Sequence, residues 1–143
     1  MQTFIRADTL FAAAQTCGTR VMLLTDRPEG DSALRLSGYG SLVEILDEPA
    51  TALTAVLDDP LGFDLFVMDC DAFGGIAGAE RAIATLIANG ARMRVMLVSR
   101  EFDAPSYPLG QRTAVCLPYP ATDESFHQGF VHVLRDRKPV TLM

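Results

Sequence analysis

Positive charge, paired cysteines and long apolar runs are all scarce in this sequence, and each shortage removes a class of function. Lys and Arg number 12 against 18 Asp and Glu, for a net charge of -6. Such a field repels nucleic acid and anionic membranes, so neither is an expected partner. The three cysteines, Cys17, Cys70 and Cys116, stand far apart, with no CxxC pair and no Cys/His ligand spacing. That argues against a zinc site or a disulfide framework and favours a reducing compartment. No stretch approaches the roughly 18 uncharged apolar residues that a membrane span needs. Near the N-terminus Phe4-Ile5 is interrupted by Arg6 and Asp8, and the apolar run from Leu10 to Ala14 is too short for a secretory signal. The expected location is the cytoplasm. No GxGxxG follows an apolar run, and Thr25-Asp26-Arg27-Pro28-Glu29 is acidic where a flavin-phosphate loop would be rich in Ser, Thr and Gly. Dinucleotide and flavin binding are therefore not expected.

What is present is an alternation. Of 143 residues, 49% are hydrophobic and 21% charged, which suits one globular domain. Short apolar runs at Val21–Leu24, Leu42–Leu46, Phe63–Met68, Val95–Ser99 and Ala114–Leu117 read as strands. The Glu within Leu42–Leu46 marks that strand for an edge. Between them lie helical patterns at 31–37, at Pro49–Leu57 with Leu53, Val56 and Leu57 on one face, and at 78–88 with Ala79, Ile83, Leu86 and Ile87 on one face. A last helix over Asp123–Arg135 turns Phe126, Phe130, Val131 and Leu134 inward. Pro105, Pro108 and Gly110 argue against a long helix over 100–112. Strands buried on both faces and alternating with helices predict an α/β fold, a doubly wound five-stranded parallel sheet of order 2-1-3-4-5. The expected organisation is a helical extension over 1–19, one domain over 20–137 and a short tail over 138–143.

In such a sheet ligands gather at the carboxyl ends of the strands. Three of those ends are polar: Thr25-Asp26, Asp69-Cys70-Asp71 and Ser99. Neighbouring strands would bring Asp26, Asp69 and Ser99 to one cleft. Clustered carboxylates repel unless a cation intervenes, and a hard ion such as Mg²⁺ suits oxygen ligands. A carboxylate beside Mg²⁺ can attack a phosphoryl donor. The blander alternative is that each residue caps the helix that follows it. His127 and His132, five apart, lack a ligand spacing.

The run Asp64-Leu65-Phe66-Val67-Met68-Asp69 resembles the third strand of response-regulator receiver domains. Leu23-Leu24-Thr25-Asp26-Arg27-Pro28 is similar to their first strand and acidic pair, Leu97-Val98-Ser99 to their fourth strand, and Leu117-Pro118-Tyr119-Pro120 to the end of their fifth. The resemblance covers about residues 20–137. It implies the flavodoxin-like receiver fold, with Asp69 as phosphoacceptor, Asp26, Asp69 and Asp71 around Mg²⁺, and Ser99 and Tyr119 as switch and phosphate contacts. It also implies a place in two-component phosphorelay signalling rather than an enzyme, acting by protein contact. The implied partners are a sensor histidine kinase, a phosphotransfer protein or another signalling protein, with homodimerisation through residues 100–135. The contact face of the family would here include Tyr107, Cys116, Phe126 and Phe130. Three departures stand out: Thr25 replaces the first acid of the pair, Tyr119 replaces a Lys, and Ala72-Phe73 replace a Met-Pro. They point to an atypical receiver, with a phosphate-independent interaction domain as the alternative. A further alternative is a small Mg²⁺-dependent phosphatase, because Asp69-Cys70-Asp71 also resembles the DxD start of haloacid-dehalogenase-type enzymes. That motif normally lies near the N-terminus, and among residues 100–143 only Lys138 is a lysine.

Overall fold

Val21, Met22, Leu23 and Leu24 are wholly inaccessible to solvent, because a central parallel strand has no face left for water. They form β1 (Arg20–Leu24) in the computed structural model of the chain, which describes residues 18–108 and 114–136. Four more strands follow, β2 (Leu42–Leu46), β3 (Leu65–Asp69), β4 (Arg94–Ser99) and β5 (Val115–Pro118). All pair in parallel, in the order β2-β1-β3-β4-β5. This is the doubly wound, flavodoxin-like arrangement expected from the alternation. The register aligns Leu24 with Met68, Asp69 with Val98, and Ser99 with Pro118. The strands therefore finish almost level, and the residues just after them share one edge.

The pleat sends alternate residues to opposite faces. Val21, Leu23, Leu65, Val67, Met96, Val98, Val115 and Leu117 pack under helices α1 (Asp31–Gly38) and α4 (Asp123–Asp136). Met22, Leu24, Phe66, Met68 and Leu97 pack under α2 (Pro49–Asp58) and α3 (Gly75–Ala88). Pro49 opens α2, where its missing N–H costs nothing. The Thr122 hydroxyl accepts the Ser125 N–H at 3.0 Å and starts α4. The α4 stripe is Phe126, Phe130, Val133 and Leu134, at the i, i+4, i+7, i+8 positions of one face. Val131, expected inside, is half-buried, since it lies one residue off that stripe. Leu57 and Ile87 are likewise outside, at 56% and 58% exposure. Each directly follows a buried residue, Val56 or Leu86, and the helical step of one residue carries it off the narrow contact line.

The stretch after β4 contains no helix among the described residues. Instead Ser106 forms an antiparallel bridge to Cys116, with N–H···O distances of 2.8 and 3.0 Å. Prolines at 105 and 108 flank it, so the segment protects the β5 edge without building a full strand. At the other edge lies β2, with Leu42 61% exposed, as its Glu predicted. The extension over 1–17, the loop over 109–113 and the tail over 137–143 lie outside the described residues, and so do the helix expected over most of 1–19 and Lys138. No described helix is long and apolar enough to cross a membrane.

Candidate functional site

Thr25 follows β1 and is fully buried; its N–H continues the sheet ladder to the Leu46 carbonyl at 2.9 Å. A buried hydroxyl must place its one proton and at least one lone pair. Thr25 Oγ1 donates to Asp69 Oδ2 at 2.6 Å and accepts the Arg27 N–H at 3.1 Å. Ser32, in the first turn of α1, donates to Asp69 Oδ1 at 2.9 Å. Both oxygens of the Asp69 carboxylate, itself 8% exposed, are thus engaged by hydroxyls from β1 and α1.

The same device recurs on the other side of β3. Ser99, fully buried at the end of β4, donates to Asp71 Oδ1 at 2.6 Å and accepts the Glu101 N–H at 3.0 Å. Asp71 also accepts the Arg100 N–H at 3.0 Å through Oδ2. It sits in a short 3-10 turn, Cys70–Phe73, that joins β3 to α3. Each strand-end hydroxyl thereby ties a carboxylate to the backbone two residues further on.

Tyr119, just past β5, completes the edge. Arg27 Nη1 donates to its hydroxyl, and the Arg27 guanidinium lies 4.6 Å from its ring centroid. The Arg100 guanidinium lies 5.2 Å from the same ring. The ring's negative face attracts both cations. Asp26 points outward, its side chain 59% exposed, and contacts Arg27 Nε at 3.8 Å.

Asp26, Asp69, Asp71 and Tyr119 therefore line one cleft, together with Arg27 and Arg100, and Ser99 anchors its wall through Asp71. Tyr119 itself brings no charge, and the cations of the cleft are Arg27 and Arg100. Phe126 and Phe130, expected on a contact face, are core residues with no exposure, while Tyr107 and Cys116 are half-buried. The two phenylalanines supply the inward stripe of α4, so they cannot also face a partner. Sequence reasoning missed Arg27, Arg100 and Ser32. Their signal was position alone, since the arginines occupy the same strand-end loops as Asp26 and Ser99.

The carboxylates can be tested against a Mg²⁺ ion on this geometry. Asp69 has a hydroxyl on each oxygen, Asp71 is turned to Ser99 and the Arg100 amide, and Asp26 leans on Arg27. Among the described residues no three Asp, Glu, His or Cys groups gather around one point. Mg²⁺ commonly takes one or two carboxylates and fills its other positions with water; Asp26, Asp69 and Asp71 line one cleft, and each already bonds a neighbouring residue.

Burial, above all, holds the Asp69 carboxyl above the ordinary Asp value of 3.8, against the opposing pull of the two hydroxyls and Arg27; Asp26 adds to the rise. A raised folded value means the folded chain binds this proton more readily than the unfolded chain. The cost of the charge is present above the raised value and is gone below 3.8. Asp69→Asn is therefore expected to raise the unfolding temperature at pH 7. The gain should shrink as pH falls toward the ordinary Asp value, which thermal melts across that range would read directly. Compared with protein-family models and with curated proteins, the chain has no match, so the chemistry of this cleft rests on its own residues.

Proposed function

We propose that the chain is a receiver-like signalling domain that works by contact with another protein, without an aspartyl phosphate. The fold and the position of Asp69 at the end of β3 agree with the receiver resemblance. The observation that carries the phosphate-independent reading is the Asp69 carboxylate itself. Its two oxygens accept hydrogen bonds from Thr25 and Ser32 within a buried site. An attacking carboxylate needs a free lone pair and a nearby cation to meet the phosphoryl group. Here a buried hydroxyl already holds one lone pair of each oxygen, which lowers its readiness to attack, and the cations of the cleft, Arg27 and Arg100, are stacked on Tyr119. The arrangement suits a rigid structural node that joins β1, β3 and α1.

Incubation with acetyl phosphate and Mg²⁺, followed by intact mass measurement, tests this. The expected result is an unchanged mass. A gain of one phosphoryl group, lost in Asp69→Asn, would instead make the chain a phosphorylated response regulator served by a histidine kinase or phosphotransfer protein.

A further inference from the structure

Helices α2 and α3 lie side by side over one face of the sheet and touch over only part of their length. Between them is a cavity of about 280 Å³. Its floor reaches Leu24 of β1 and Phe66 of β3, and its walls include Leu53, Phe73 and Leu86. The facing helix positions are small, among them Ala52, Gly78 and Ala82, which leaves room where larger side chains would have met. The pocket opens to solvent beside the exposed Arg81 and Thr85, so an apolar ligand that covers its floor removes apolar surface from water. The volume falls just below the roughly 300–1,000 Å³ range of small-molecule pockets, which suits a small ligand.

One charged side chain lines this space, Arg81 of α3, and no carboxylate does. Arg81 is exposed, and among the described residues its guanidinium has neither a carboxylate nor a hydroxyl partner. The Thr85 hydroxyl at the same rim is committed to the Arg81 carbonyl at 2.9 Å. The lining thus offers an apolar interior, one unpaired cation at the mouth, and no competing anion.

From this geometry we infer that the cavity binds a small amphiphilic organic anion, its apolar body between α2 and α3 and its carboxylate on Arg81. A depth that ends on the sheet's own core residues suits a compact molecule better than a flat partner surface. The site is independent of the proposed signalling role and does not use the Asp69 cleft. Leu24 and Phe73 do stand beside Thr25 and the Asp71 turn, so an occupant would touch the supports of that cleft.

The test is a titration of the full chain with sodium octanoate, followed by amide and methyl chemical shifts. Saturable shifts at Leu53, Ala82 and Leu86 are expected at millimolar ligand. A charge-assisted contact predicts about a tenfold weakening in Arg81→Gln. Octanol, which lacks the charge, should bind native protein and variant alike, and Ala82→Phe, which fills the space, should abolish both. Absence of saturable octanoate shifts would overturn the proposal, as would equal octanoate affinity in native protein and Arg81→Gln. A cavity that ignores octanoate yet takes a short peptide carrying Phe beside Glu would overturn it in favour of a protein partner.

Discussion

Thr25→Val is expected to lower stability by about 1.5–3 kcal/mol, the usual worth of a hydrogen bond to a charged group. The substitution keeps the shape of the side chain and removes only the hydroxyl. Asp69 Oδ2 then loses its 2.6 Å donor, and the Arg27 N–H loses its acceptor. Neither is easily replaced by water, since Thr25 is fully buried and Asp69 nearly so. For a domain of this size the loss corresponds to roughly 5–10 °C in the unfolding midpoint. Thermal or urea unfolding of the variant measures it. A second background locates the cause. In Asp69→Leu no carboxylate is left to satisfy, so Thr25→Val should cost less than about 1 kcal/mol, the scale of an ordinary neutral hydrogen bond. An undiminished cost there would show that Thr25 acts through its own packing, and the node reading of Asp69 would lose its main support.

The strands were legible in the sequence because a doubly covered parallel sheet writes itself as unbroken apolar runs. Val21–Leu24 and Leu42–Leu46 illustrate the two extremes. The first is wholly buried, while the second carries Glu44 and lies at the sheet edge. Level strand ends made it legible that Asp26, Asp69 and Ser99 would come together; Asp26 and Asp69 do line the cleft, but Ser99 is fully buried behind it and Asp71, implied only by the resemblance, lines it instead. What those residues bind to there was not legible. Hydrogen-bond partners depend on ångström distances between loops, and Thr25, Ser32 and Asp69 are linked across 44 and 37 positions of chain. The arginines escaped notice for a related reason. Arg27 and Arg100 are exposed, and an exposed Arg in a loop carries no pattern until the ring it covers is in place. Helix faces were legible in their direction but not to the residue: Leu57, Ile87 and Val131 are apolar residues next to the buried stripe, and sequence periodicity does not separate a stripe from its margin.

Gly78→Ala should behave opposite to the usual rule for a helix interior. Alanine normally gains about 1 kcal/mol over glycine there. At Gly78 an added Cβ would lie 1.8 Å from the Phe73 carbonyl oxygen and 2.8 Å from its carbon. These are backbone atoms, so no side-chain rotation relieves the clash. The helix must move away from the Cys70–Phe73 turn, or the turn from the helix, and overpacking of this kind costs typically 1–3 kcal/mol or more. The expected net result is a loss of about 2 kcal/mol despite the better propensity. The displaced turn also holds Asp71, whose carboxylate anchors Ser99 at 2.6 Å and the Arg100 amide. The amide resonances of Arg100 and Glu101 should therefore shift in the variant, although both residues lie more than twenty positions along the chain from the substitution. Gly38→Ala provides the contrast. It ends α1, and an added Cβ meets nothing within 4 Å. There the change should be neutral or stabilising by up to about 1 kcal/mol, because only backbone entropy is at stake. Equal effects of the two substitutions would mean that the approach of α3 to the turn is looser than the 1.8 Å clash requires, and that the Asp71–Ser99 anchor does not depend on it.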